Sequence, residues 1–130
     1  MGYSLSRKRG AAALSYRLGY LSSDAWKARR RRYYGSVRSR GFVPMCQGCE
    51  SLDSASLQLH HLSYKGVGRD SAGGWVAGER DDDLIVLCER CHEYVHKILD
   101  DFSKSYKGWS RRTASLRIIH RLREKYELST

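Results

Sequence analysis

Two C-x-x-C pairs constrain this chain more than any other feature. They are "CQGC", with Cys46 and Cys49, and "CERC", with Cys88 and Cys91. In a chain without a secretory leader pattern, two such pairs read as one tetrahedral four-thiolate zinc site rather than as disulfides. Each pair lets two thiolates reach one ion from a tight turn, and Gly48 supplies the turn residue of the first. Two local disulfides or a redox motif are the alternatives. A structural Zn2+ here closes a long loop and stabilises a small core that hydrophobic burial alone would leave marginal.

The charge is +10 in 130 residues, and its distribution says more than its sum. Residues 1–45 hold eleven Lys/Arg against one acidic side chain; residues 46–99 hold five against nine; residues 100–130 hold eight against four. Two basic arms therefore flank an acidic middle. A basic surface of this strength suits a polyanion, with nucleic acid the foremost expectation and simple solubility or ribosome-like stickiness the plain alternative. No apolar run approaches the ~20 residues of a membrane span. The expectation is a soluble cytoplasmic protein without a membrane partner.

The expected organisation has four parts. Residues 1–19 form a basic, mobile tail, with Ala11–Leu21 a helix or turn candidate interrupted at Gly19. Residues 20–45 form a basic lead-in helix, capped by Ser22 or Ser23 with Asp24 in its first turn. Trp26, Tyr33 and Val37 share one face of it, Trp26 as a packing anchor. Arg29, Arg30, Arg31, Arg32, Arg38 and Arg40 are phosphate contacts or a solvated face. Residues 46–102 form the zinc-stapled core. In it Leu57–Leu62 and Leu84–Cys88 are strands separated by a Gly-rich loop, and a helix from Cys91 turns Val95, Ile98, Leu99 and Phe102 inward. Residues 103–130 form a basic amphipathic helix with Leu116, Ile119, Leu122 and Tyr126 on its apolar face; Arg111 and Arg112 are further DNA-contact candidates. The fold class is α+β.

The histidines add a second site. His92 and His96 are four apart on the expected helix, so both rings leave one face. With His60 from the strand they offer three imidazoles, which suits a divalent metal with open positions. His61 points to the other face of the strand and is free to act as a base near neutral pH. The plainer alternatives are solvent-bonded histidines, or one histidine replacing a cysteine at the zinc. His120 stands alone and is read as a surface or packing residue.

"HHLSY", followed by "GERDDDLIVLCERCHEYVH" and framed by the two cysteine pairs, resembles the HNH endonucleases, bacterial and phage enzymes with a ββα-metal active site. The upstream "YLSSDAWKARRRRYY" is similar to a lead-in found in many members. The resemblance spans about residues 20–97. It implies that His60, His92 and His96 hold a catalytic divalent metal (Mg2+, Mn2+, Ni2+ or Zn2+) and that His61 is the general base. Asp83 stands where the central Asn of the family is expected, bracing the loop and helping to hold the base. Glu79 and Tyr64 match recurrent positions without an assigned role. The implied activity is hydrolysis of DNA phosphodiesters, with double-stranded DNA the implied partner, nicking or cutting both strands and leaving 5′-phosphate and 3′-hydroxyl ends. A non-catalytic zinc-stapled nucleic-acid-binding module is the alternative from another class. A homodimer or a phage packaging partner are the assemblies left open.

Overall fold

The computed structural model of the chain describes residues 16–101 and 103–128. The expected tail lies outside them as far as residue 15, as does Phe102. Residues 16–19 do not belong to a tail: residues 16–21 form a short helix. Aromatic packing holds it in place. Tyr16 sits edge-on to Trp75 with ring centroids 4.7 Å apart, and the fully buried Tyr20 lies 5.6 Å from the same indole.

Ser23 caps the next helix through its Oγ, which accepts the Trp26 N–H at 3.2 Å. Helix α1 then runs Asp24–Ser39, with Asp24 in the first turn and Arg38 in the last, the charge order the helix dipole favours. Gly41 follows at φ +85°, a left-handed conformation that glycine adopts without a Cβ penalty.

Four strands follow: β1 (Leu57–His61), β2 (Val67–Arg69), β3 (Trp75–Ala77) and β4 (Leu84–Cys88). β1 and β4 pair antiparallel, with Leu59 opposite Val86, His60 opposite Ile85 and His61 opposite Leu84. Strand alternation sorts these residues onto two faces. Leu59, Leu84 and Val86 pack with Tyr20 and Trp26 on one. Leu87 packs with Val95, Ile118, Ile119 and Leu122 on the other. Because both faces are covered, the end of β1 is buried without interruption from Leu59 to His61.

The stretch between β1 and β4 is not a plain Gly-rich loop as expected. It is a second antiparallel hairpin, β2–β3, with Val67 opposite Ala77 and Arg69 opposite Trp75. Asp70 Oδ1 accepts the N–H groups of Ala72 and Gly74 in its turn, where Gly73 has φ +84°. At the neck the Gly78 N–H donates to Gly66 O at 2.9 Å. A Cβ on Gly66 would lie 2.2 Å from Gly78 O, so only glycine lets the two chains come this close. The neck returns the chain to His61 with Glu79 next in line.

Helix α2 spans Glu89–Asp101, starting two residues before the expected Cys91. Val95 is buried on its inward face, with Ile98 and Leu99 half-buried beside it. Helix α3 spans Arg111–Lys125, and its cap Ser110 accepts the Thr113 N–H at 3.1 Å. Its inward stripe differs from the expected one: Ala114, Ser115, Ile118, Ile119 and Leu122 are buried, while Leu116 and Tyr126 are each 42 % exposed. The apolar spacing fits either stripe; the small Ala114 and Ser115 let the helix approach closely enough for Ser115 to bond His60. The architecture is mixed α+β, with helices on both faces of the β1–β4 pair. No helix among the described residues is long and apolar enough to cross a membrane.

Candidate functional site

The two cysteine pairs converge. Cys46, Cys49, Cys88 and Cys91 place their sulfurs within 4.8 Å of one another, three of the residues buried and Cys49 partly so. Tetrahedral Zn–S bonds of about 2.3 Å separate neighbouring sulfurs by about 3.8 Å. Cys49 Sγ and Cys88 Sγ lie 3.7 Å apart, a zinc spacing and far from a disulfide. The Gly48 N–H donates to Cys46 Sγ at 3.3 Å and the Cys91 N–H to Cys88 Sγ at 3.5 Å, so backbone donors already face developing thiolates. Burial works against charge on Cys46, yet backbone N–H groups, Cys49's foremost, hold its thiol below the ordinary value. A Cβ on Gly48 would lie 2.9 Å from Cys91 Sγ, which is why glycine stands there. The cluster fits a structural metal ion, and the Gln47 N–H bonded to Val86 O joins it to β4.

The three histidines also converge. His60 from β1 and His92 and His96 from α2 bring their ligand nitrogens within 4.8 Å of one another. The ring centroids of His60 lie 5.1 Å from those of both helical histidines. His92 Nε2 and His96 Nε2 are 3.0 Å apart; two imidazoles bound to one ion at about 2.1 Å sit roughly 3.0–3.4 Å apart. The outer nitrogens are held: His60 Nε2 by Ser115 Oγ at 2.9 Å, His92 Nδ1 by Gln58 Oε1 at 2.7 Å. Such partners orient metal-binding imidazoles. His60 Nδ1 is buried with no hydrogen-bond partner among the described residues, an orphaned lone pair of the kind a cation satisfies. Burial keeps all three imidazoles neutral, pushing His92 down to about 4 and His60 and His96 below their ordinary value. Ligand set, spacing and neutrality fit a divalent metal.

His61 faces the opposite side of the sheet, as strand alternation requires, but not open water: it is 2 % exposed. Its ring stacks on Tyr64 at 4.2 Å and lies 4.7 Å from Trp26. His61 Nε2 bonds Glu79 Oε2 at 2.7 Å, and the Tyr20 hydroxyl donates to the same oxygen at 2.7 Å. Burial opposes charge on Glu79, but these two hydrogen bonds hold its carboxyl below the usual range. Burial, with the bond to Glu79, pushes the Tyr20 phenol up, so it stays a donor. An ionised Glu79 can only accept, so Nε2 of His61 donates to it, and in the neutral ring Nδ1 is the nitrogen with the lone pair.

Asp83 does not hold His61. Its Oδ2 accepts the Arg80 N–H at 2.9 Å, its Oδ1 pairs with Arg112, and its carbonyl accepts the Leu62 N–H at 2.7 Å. It braces the loop, while Glu79 takes the role at the histidine. Three arginines expected to face DNA are engaged within the fold, Arg111 through its Nε, which donates to His61 O at 2.7 Å. Arg29 is 3 % exposed, its Nε donating to Glu79 O at 3.0 Å and its Nη2 paired with Asp81 at 2.6 Å. Arg112 is tied to Asp82 O and Asp83. Arg30, Arg31, Arg32 and Arg38 are exposed along α1, and Arg40 is exposed just past its end. His120 meets only Glu124 of its own helix among the described residues, at 3.3 Å.

Sequence reasoning passed over Gln58, Ser115 and Tyr20. Gln58 carried a signal, since it shares a strand face with His60; Ser115 and Tyr20 carried none. Comparison with protein-family models, curated proteins and solved structures gave no match.

Proposed function

We propose that the chain is a metal-dependent DNA endonuclease of the HNH type. One observation carries this reading. A strand pair and the helix after it gather three neutral imidazoles on one face, while the adjacent His61 on the other face is paired with a buried carboxylate. A divalent ion held by His60, His92 and His96 would neutralise charge on a non-bridging phosphate oxygen and on the leaving 3′ oxygen. His61 takes a proton from the attacking water at Nδ1, and Glu79 stabilises the imidazolium that forms. Tyr20 and Arg29 fix Glu79 from its side-chain and backbone oxygens. The exposed arginines of α1 suit the DNA backbone, giving affinity without base reading. The products would be 5′-phosphate and 3′-hydroxyl ends.

Supercoiled plasmid incubated with the protein and Mg2+, Mn2+ or Ni2+ is expected to become nicked or linear, and His61→Ala to abolish the reaction. Equal cutting by wild type and variant overturns the assignment. The burial of His61 under Tyr64 and Trp26 favours a second reading, a zinc-stapled DNA-binding module without catalysis. One tightly held zinc, no second divalent site and salt-sensitive DNA binding without cleavage would establish it.

A further inference from the structure

Three guanidinium groups gather around a pocket of about 400 Å3 on the Tyr64 side of His61, lined by Arg17, Leu62, Ser63, Tyr64, Ser110, Arg111 and Arg112. Their charge is unevenly answered. Arg112 is neutralised by Asp83. Arg111 spends its Nε on His61 O at 2.7 Å and has no carboxylate partner among the described residues. Its Nη2 is buried with no acceptor among them. Arg17 lies over the Tyr64 ring at 4.9 Å and Arg111 over the same ring at 5.2 Å. Neither forms a hydrogen bond or ion pair with a carboxylate of the described chain. Two like charges converging on one phenol ring repel each other, and a buried guanidinium N–H without an acceptor is costly. Asp100 offsets part of the Arg111 charge, and an anion in the pocket would offset the repulsion that remains between the two guanidinium groups.

We propose that this pocket is a phosphate receptor, in which Arg17 and Arg111, with the Ser63 hydroxyl, hold one backbone phosphate of the polynucleotide beside the reaction centre. Guanidinium forks match the paired non-bridging oxygens of a phosphodiester, in charge and in plane. Its place is set by Arg111, which holds the His61 backbone, and by Tyr64, which stacks on the His61 ring; a phosphate bound there fixes the strand relative to the base. The role in a substrate rests on the nuclease reading; the receptor itself does not.

The test uses the full zinc-loaded chain carrying His92→Ala and His96→Ala, so that phosphate cannot bind at a second metal and no DNA is cut. Inorganic phosphate is titrated while the Nε–H resonances of Arg17 and Arg111 are followed by NMR. Both resonances are expected to shift with one saturating curve, and Arg17→Gln to weaken binding about tenfold. Arg17 makes no hydrogen bond or ion pair that the described structure needs, so this variant keeps its fold; Arg121→Gln, on an exposed residue of α3 outside the pocket lining, is the control and leaves the curve unchanged. Phosphate binding that is indifferent to Arg17→Gln, or equally sensitive to Arg121→Gln, overturns the receptor. Saturable, Arg17-dependent binding in a protein whose unsubstituted form never cuts DNA would sink the nuclease reading and leave the receptor standing.

Discussion

Replacing Glu79 by Gln changes one charge and almost no volume, in a residue 4 % exposed. In the wild type, Oε2 accepts from both His61 Nε2 and the Tyr20 hydroxyl. Hydrogen bonds to a charged group contribute about 1.5–3 kcal/mol and neutral ones about 0.5–1.5. Two bonds downgraded in this way cost about 2–3 kcal/mol, so the variant should melt several degrees lower and still fold. The effect on chemistry is larger. Oε1 is buried without a hydrogen-bond partner among the described residues, so an amide nitrogen placed there would strand its N–H groups; placed at the Oε2 position instead, it turns them toward His61 Nε2 and the Tyr20 oxygen. That forces Nε2 to accept and moves the ring proton to Nδ1, the nitrogen that would take a proton from water in the proposed nuclease. A disabled general base costs about 10²–10⁴-fold in rate. The assay is single-turnover plasmid nicking at pH 7.5, paired with nitrogen-15 NMR of the His61 ring, which reads the tautomer directly. Cleavage within threefold of wild type, or an unmoved ring proton, would refute the reasoning. Acid supplies a second check. Glu79 has a folded-state value below its unfolded one of ~4.3, so its contribution is complete above that pH and is lost as pH falls through the folded value. The stability gap between wild type and Glu79→Gln should therefore narrow below about pH 4.3.

Other outcomes follow from the metal clusters. Cys46→Ser removes a thiolate from a cluster whose ion binding and folding are one process, so the domain should lose its zinc and most of its circular dichroism together, rather than cut slowly while folded. A folded, zinc-loaded Cys46→Ser protein counts against a structural role. Ser115→Ala frees His60 Nε2 from its only partner among the described residues; affinity for the second divalent ion should drop about 10–100-fold with zinc content unchanged, as isothermal titration and metal analysis will report.

Much of the site was legible because its ligands come in short-range patterns. Cys46 and Cys49, Cys88 and Cys91, and His92 and His96 are each close in sequence, so a turn or one helical repeat places them together whatever the rest of the chain does. The adjacency of His60 and His61 foretold opposite faces for the same local reason. Arg29 shows the limit: within "KARRRR" it looks no different from its neighbours, yet helix rotation turns it inward onto Glu79 O, 50 residues away in sequence. The β2–β3 hairpin was hidden by the glycines that permit its neck and turn, since glycine reads as loop unless its partner strand is known.

By itself, then, the sequence determined the two clusters that could hold metal, the strand that separates His60 from His61, and the basic character of both arms, all properties of neighbours along the chain. Tertiary structure alone decided that Glu79 rather than Asp83 holds His61, that Ser115 and Gln58 orient the ligands, and that Arg111 points an unanswered guanidinium beside the site. Those contacts join residues 18 to 55 positions apart, and only the packing of helices on both faces of a two-stranded sheet brings them within hydrogen-bonding reach.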